Sequence, residues 1–370
     1  MNPSRSLRQA GFTLMELMVG MTIGMIATIV IVQVMNVFEA QKRTTTGTAD
    51  AQTNGGIALY MIARELQQAG YPMFPGSDTA LSCTTITYGG SGITSISPIN
   101  ITEVAAVAGV SPATDSITIR YGSTSTTGTN AGATPGVQTA ITTLTGSAAT
   151  VGSNLGCQYS ATMSNTDATM INTGATCAMS TVSAAPSAAG VVPITVTLAN
   201  TTGAVPNANL ACLGPWNEVT YSVNAATGNL ERTTRINGIS TAAVPSVVGI
   251  VNIQAQYGIS ATANSNAVTS WVDASGATWT APTVANRNRI KAIRIAVVAR
   301  NAKVEQSAVT TACSSTSAAN PTGLCTWDGS AFAAPALDLS PGNTNWAKYR
   351  YRVFETIVPL RNVIWSKDTL

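Results

Sequence analysis

A glycine, an aromatic residue and a carboxylate stand at fixed spacing in Gly11-Phe12-Thr13-Leu14-Met15-Glu16, directly ahead of a long apolar run. Gly11 has no side chain, so a protease at a membrane surface can close on the backbone there. Hydrolysis after Gly11 would give Phe12 a free α-amino group, a class with an ordinary pKa of about 8 and mostly cationic at neutral pH. Glu16 follows four residues later, on the same helical face as that amine. A carboxylate held in a bilayer costs on the order of 2–3 kcal/mol on insertion scales and normally has a partner. The partner this spacing supplies is the amine of Phe12, most usefully that of a neighbouring copy when helices stand side by side.

Several elements must position these groups. From Leu17 to Phe38 the chain carries no charged residue, which is enough to cross a hydrocarbon core as a helix of about 20 residues. Ahead of it lies a short polar segment whose charged side chains are Arg5 and Arg8; these favour a cytoplasmic N-terminus. A secretory signal peptide has its apolar core before the cleavage site, whereas Gly11 sits between the basic and the apolar segments. Cleavage there removes the leader and keeps the membrane helix. Proline is absent between Pro3 and Pro72, so one long helix is predicted from Thr13 to Ala69, closed by Gly70 and Pro72. Its second half is predicted to bury Ile57, Leu59, Met61, Ile62, Leu66 and Ala69 on a globular head, with Arg64, Glu65, Gln67 and Gln68 facing away. Poor helix formers at Thr44 to Thr48 and at Gly55-Gly56 predict bending or local melting.

The N-terminal motif resembles the class III signal of type IV prepilins and of type II secretion pseudopilins. The resemblance implies that a prepilin peptidase cuts after Gly11, that Phe12 becomes an N-methylated N-terminus, and that Glu16 serves filament assembly. Three further stretches are similar to minor pilins of the PilW type: Ala58 to Tyr71, with its Arg-Glu-Leu segment running into Ala-Gly-Tyr; Val248 to Gly258; and Tyr349 to Asn362. The fold implied is α+β and pilin-like, a long N-terminal helix on an antiparallel β-sheet head. The function implied is that of a minor pilin that primes pilus assembly and sits at the pilus tip. Its partners would be other minor pilins, the major pilin, the prepilin peptidase and a tip adhesin. Its place would be the inner membrane, in a single pass, with the head in the periplasm. The organisation expected is a leader over 1–11, a transmembrane and filament-core helix over 12–38, an amphipathic helix over 39–70 and a periplasmic head over 71–370. Two rival readings share the leader: a J-type pseudopilin of a type II secretion system, and an adhesin that uses the helix as a stalk.

Composition narrows the chemistry. Charged residues make up 9% of the chain and the formal net charge is +3, with no basic run for a nucleic acid to follow. The chain has no histidine, which removes Ser-His-Asp and Cys-His nucleophiles and every His-ligated metal site. The carboxylates Glu218, Glu231, Asp273, Asp328 and Glu355 show no hydrolase spacing, and no glycine-rich loop opens a helix to cradle phosphate. No enzymatic activity, cofactor or metal is therefore expected. Six tryptophans are expected mainly in the core. The six cysteines, Cys83, Cys157, Cys177, Cys212, Cys313 and Cys325, lie beyond the membrane segment, where an oxidising compartment favours disulfides. Of the fifteen possible pairings, the set expected is Cys313–Cys325, Cys157–Cys177 and Cys83–Cys212.

Beyond the helix the period is two. Alternation predicts strands at Asp115 to Tyr121, at Val219 to Val223 with Leu230 to Thr234 as a hairpin, at Val251 to Tyr257, at Ile293 to Ala299 and at Tyr349 to Val358. In the last of these Tyr349, Tyr351, Val353 and Ile357 share a side, and Arg350 and Arg352 point outward, within reach of Glu355. Gly122 to Gly136 and Ser160 to Pro186 are low in complexity and read as long Ser/Thr/Gly-rich loops or irregular strands. Gly258 to Pro282, with Trp271 and Trp279, reads as an ordered excursion.

Overall fold

The computed structural model describes residues 11–73, 83, 85–89, 92–123, 138–152, 156–162, 165–173, 176–187, 193–202, 204–317, 320–327 and 337–364. Two compact units divide the chain, Met1–Asp50 and Ala51–Leu370. The expectations for Met1 to Ala10, Asp328, Trp365 and most of Gly122 to Gly136 lie outside the described residues.

Helix α1 spans Leu14–Leu66, and turns follow it to Pro72. In the first unit its apolar side chains are exposed all round, from Leu14 to Phe38. The expected melting is absent. Thr45 and Thr48 donate their hydroxyls to the carbonyls of Gln41 and Thr44, at 3.0 and 2.8 Å, so each satisfies its own polar group within the helix.

Within the second unit, Ala51, Gly55, Ala58, Ile62 and Leu66 are buried, at the three- and four-residue steps of one helical face. Ile57, expected on this stripe, falls beside it and is 45% exposed. Gly55 is where the helix meets the last strand. A Cβ there would lie 2.1 Å from Cε2 of the Phe354 ring. The glycine that looked like a helix breaker is the space that a phenyl ring fills.

Among the described residues the strands form three sheets. The first is seven-stranded: β1 (Thr85–Tyr88), β7 (Thr176–Thr181), β6 (Ala168–Asn172), β9 (Asn209–Gly214), β4 (Gln138–Thr145), β5 (Ala148–Val151) and β8 (Ile194–Thr197), in that order. Its pairs are antiparallel except β1 with β7. It encloses its own core of Ile141, Val151, Ile171, Val196, Leu198 and Leu210. Two of its strands, β6 and β7, come from the segment expected to form long loops or irregular strands. Met170, Ile171 and Met179 stand among alanines, threonines and Ser180 there, and both strands are almost wholly buried. Sheet pairing, rather than a large apolar content, orders them.

The second sheet runs β12 (Ile239–Ser240), β11 (Asn229–Ile236), β10 (Trp216–Asn224), β3 (Thr114–Gly122), β2 (Ile99–Val104), with β13 (Val244–Val248) also on β11. The predicted hairpin is β10 and β11, in register from Asn217↔Ile236 to Asn224↔Asn229. The third sheet is β15 (Val268–Val272), β14 (Ile250–Ser260), β16 (Ile290–Val304) and β17 (Tyr349–Pro359). The predicted excursion is ordered, as β15 and the short helices α2 (Gly276–Trp279) and α3 (Val284–Arg287). One further turn, α4 (Arg361–Ile364), follows β17.

The main core joins Ala58, Ile62 and Leu66 of α1 to Ile117 and Ile119, to Trp216, Val219 and Tyr221, and to the inward faces of β14 and β16. Four bonds tie β2 and β3 to β14, one of them from Thr114 Oγ1 to Ile253 O at 3.3 Å. Ile101 N donates to the Tyr257 hydroxyl at 2.7 Å, Ala255 N to Asp115 Oδ2 at 2.7 Å, and Ile253 N to Thr114 Oγ1 at 3.1 Å. Ile293, Ile295, Val297 and Ala299 face this core as predicted. Val251 does not. A bulge between Ile250 and Asn252 shifts the alternation, and Val251 packs on the opposite side of the sheet.

That opposite side is also covered. Val298, Val353 and Tyr351 pack against Leu324, Leu337, Leu339 and Trp346, which belong to the connection between β16 and β17. Arg294, only 2% exposed, lies between Trp271 and Trp327, its Cζ 5.2 and 4.2 Å from the ring centroids, and its Nε donates to Gln256 at 2.7 Å. Burial lowers its pKa to about 10. On β17 the shared side is real for Tyr351 and Val353, but Ile357 is exposed. Arg350 pairs with Glu305 at 3.1 Å, while Glu355 accepts from Trp327 N.

Candidate functional site

At the head of α1, Gly11 and Phe12 are exposed, Phe12 at 89%. The next residues close on one another. Glu16 N donates to Thr13 Oγ1 at 3.2 Å, while Thr13 N and Thr13 Oγ1 both donate to Glu16 Oε2 at 3.0 Å. This is a capping box: a threonine at the helix edge and a glutamate three residues on satisfy each other's backbone amides. The Thr-x-x-Glu spacing carries that signal in the sequence, and the reading of Glu16 as a partner only for Phe12 missed it. Within the single chain Glu16 is held by Thr13. Pairing with a Phe12 amine would involve a second copy. The helix that follows contains an 18-residue window of mean hydropathy 2.2.

At the other end of α1 the sequence reading needs correction. Glu65, expected to face away, is the centre of a half-buried polar group. It accepts from Tyr121 Oη at 2.6 Å, Tyr221 Oη at 3.2 Å and Arg232 Nη2 at 2.9 Å. Its side chain is 15% exposed. Burial, then the nearby Glu65 charge, raises the Tyr221 phenol to about 12, and burial raises that of Tyr121 as well. The helix end is thereby fixed to β3, β10 and β11 through polar contacts as well as apolar ones. Period-3.6 reasoning placed the charge outward because nothing local shows that Arg232 lies opposite.

The carboxylates screened for catalysis have structural partners. Glu218 pairs with Arg120 at 3.0 Å, Glu231 accepts from Asn224 at 2.7 Å and Asp273 from Gln256 at 2.6 Å. Among the described residues no group of three or more His, Cys, Asp or Glu is placed to hold a metal ion.

All six cysteines are bonded. Cys313–Cys325 is as expected, with Cα atoms 4.9 Å apart. The other two pairs are Cys83–Cys177 and Cys157–Cys212, with Cα separations of 5.7 and 5.6 Å, which corrects the expected Cys157–Cys177 and Cys83–Cys212. The reason is sheet order. β1 lies parallel to β7 with Thr85 opposite Thr176, which brings the chain just before β1 to Cys177. Cys212 lies on β9, separated from β7 by β6.

The comparisons with known proteins bear on both ends of the chain. Residues 6–32 match the Prokaryotic N-terminal methylation motif. Residues 220–362 match Type IV Pilus-assembly protein W. Together these support a type IV pilus-associated, minor-pilin-like protein, one whose motif and apolar helix fit a membrane-anchored pilin and whose family implies contact with other pilus components. No curated protein and no solved structure gives a match. The PilW match takes in most of β10, β11 to β17 and the start of α4, including the sheet that is covered on both sides. The seven-stranded sheet and two of the disulfides lie between the two matched segments.

Proposed function

We propose that this chain is a minor pilin that primes type IV pilus assembly from the inner membrane and ends at the pilus tip. The observation that carries the reading is the Gly11-Phe12-Thr13-Leu14-Met15-Glu16 motif at the start of a long apolar helix, on a chain whose residues 220–362 match PilW. Cleavage after Gly11 removes residues 1–11, and methylation of the Phe12 amine keeps its positive charge. Residues 12–38 then hold the subunit in the bilayer, residues 39–70 lead to the head, and residues 71–370 form a periplasmic head. In the free subunit Thr13 supplies hydrogen bonds to Glu16. On assembly the carboxylate gains the amine of a neighbouring subunit, which fixes the axial register of the two helices. The partners are other minor pilins, the major pilin, the prepilin peptidase and a tip adhesin. A head of this size is awkward to repeat along a slender fibre, which supports a place at its end.

Gly11→Val tests the processing. The variant should keep its leader and carry no methyl group on Phe12 by mass spectrometry; normal maturation of it refutes the cleavage site. Glu16→Ala tests the register. That subunit should be matured yet fail to co-purify with other minor pilins, and wild-type recovery of them removes the argument. A strain lacking the chain should lose its pili, and a labelled chain should mark filament ends. Label along the whole fibre contradicts the tip position.

A further inference from the structure

Away from α1, a cleft of about 280 Å³ opens between the β10–β11 turn, the Val110 to Pro112 loop and the start of β17. Arg300 of β16 is the one charged residue in its lining among the described residues. Its Cζ stands 4.7 Å from the centroid of the Tyr349 ring, and its backbone N–H is used by Gly249 O at 2.8 Å. The guanidinium has no carboxylate partner among the described residues, although Arg120, Arg232 and Arg350 all have one. A flat guanidinium stacked on an aromatic ring keeps its outer N–H donors in a fixed fork, the geometry that takes a carboxylate through two parallel bonds.

The walls are mixed. Val251, Leu339 and Pro341 contribute apolar surface, most of the exposed lining is polar, and no acidic residue lines the cleft among the described residues. Asn343 also lines it; its Oδ1 accepts from Asn345 N at 3.2 Å, and its Nδ2 has no acceptor among the described residues. Two glycines keep the cleft open. A Cβ on Gly228 would lie 3.3 Å from Arg300 Nη2, and one on Gly342 2.0 Å from Val110 O. Both have positive φ, 65° and 74°, so a side chain is disfavoured at each position by conformation as well as space.

We propose that this cleft is a binding site for a carboxylate carried on a short body, with Arg300 gripping the carboxylate and Asn343 assisting. Such a group comes either from a free small acid or from the C-terminus of a polypeptide. The chemistry is shared, and a single cation suits a monoanion better than phosphate.

The full-length chain in detergent is titrated with N-acetyl-alanine, isobutyrate, N-acetyl-alaninamide and inorganic phosphate, with binding read by ligand-detected NMR. Saturable binding of the two acids, at least tenfold tighter than of the amide or phosphate, is the expected result. Preference for N-acetyl-alanine over isobutyrate assigns a polypeptide C-terminus, and the reverse assigns a free acid. Arg300→Gln should abolish binding and Arg300→Lys should weaken it about tenfold, each at an unchanged far-ultraviolet spectrum. Ala226→Trp, on the exposed turn, should block the cleft while Arg300 stays in place. Equal binding of acid and amide, or full binding by a folded Arg300→Gln chain, overturns the proposal. So does loss in Arg300→Gln with full retention in Ala226→Trp, because the ligand would then sit elsewhere.

Discussion

Replacing Gly55 by alanine asks whether the helix end and the last strand are fitted to each other. At an open position in a helix the change should stabilise by about 1 kcal/mol, because glycine gives up more backbone freedom than alanine on folding. Gly55 is not open. The new methyl carbon would stand 2.1, 2.3 and 2.9 Å from three carbons of the Phe354 ring, whereas carbon atoms in contact rest about 3.5–4 Å apart. Ring or helix must therefore yield by more than 1 Å, roughly, and overpacking of that kind costs about 1–3 kcal/mol. The expected net effect is a loss of about 1 kcal/mol or more, opposite in sign to the helical preference. Removing the ring should restore that preference. In a Phe354→Ala background, itself destabilised by about 2–3 kcal/mol because the ring is only partly buried, Gly55→Ala should stabilise by about 0.5–1 kcal/mol. The coupling between the two sites is then the overpacking cost itself, about 1–3 kcal/mol. Urea unfolding of the four full-length proteins in detergent, followed by tryptophan fluorescence, measures it. If Gly55→Ala stabilises the wild-type background, the fit between helix and strand is not what keeps this residue small, and the reasoning fails.

Acidity should stabilise the head. Burial raises the Asp115 carboxyl to about 7, helped by Glu103 and Asp273, and burial alone raises Asp167 to about 7. Each folded-state pKa then lies above its unfolded value, so the folded chain holds protons that the unfolded chain has lost. Stability falls as pH rises from about 4 to about 7, by about 2–4 kcal/mol for each group. Melting midpoints should drop between pH 5 and pH 8, and Asp115→Asn should flatten the drop; a midpoint that rises over this interval contradicts the assignment. Among the disulfides, replacing Cys83 and Cys177 or Cys157 and Cys212 by serine, with separations of 94 and 55 residues, should cost about 4–5 kcal/mol each. The 12-residue Cys313–Cys325 loop should cost about 3. Calorimetry that reverses this order rejects the loop-entropy account. Glu65→Ala strands Arg232 and two tyrosine hydroxyls and should cost about 2–3 kcal/mol. Adding Arg232→Met should recover part of that loss, and no recovery would mean the two side chains are not coupled.

What could be read from the chain depends on how local each signal is. The apolar run, the long helix and the existence of strands β10, β14, β16 and β17 are written into consecutive residues, whereas the burial of β14 and β16 on both faces is not. Val251 was misassigned because one inserted residue inverts everything on its near side while leaving the composition unchanged. For β6 and β7 the composition leaves loop and irregular strand equally open, because threonine and serine solvate a surface as readily as they fill a paired strand. Glu65 and two disulfides were misplaced for a common reason. Their partners lie 167, 94 and 55 residues away, so only the order of the strands determines the pairing. At the N-terminal site every residue was within sequence view, and the capping box was overlooked in favour of a more distant partner.

The third sheet has a neighbour on each side, with the main core on one and the stapled connection before β17 on the other. Random substitution along β14 and β16 should therefore show no alternation of tolerant and intolerant positions, as a half-solvated strand would, but an unbroken band of intolerance. Tolerance in this sheet should be confined to the ends of its strands and to Val268 and Thr269 on its β15 edge, which are exposed.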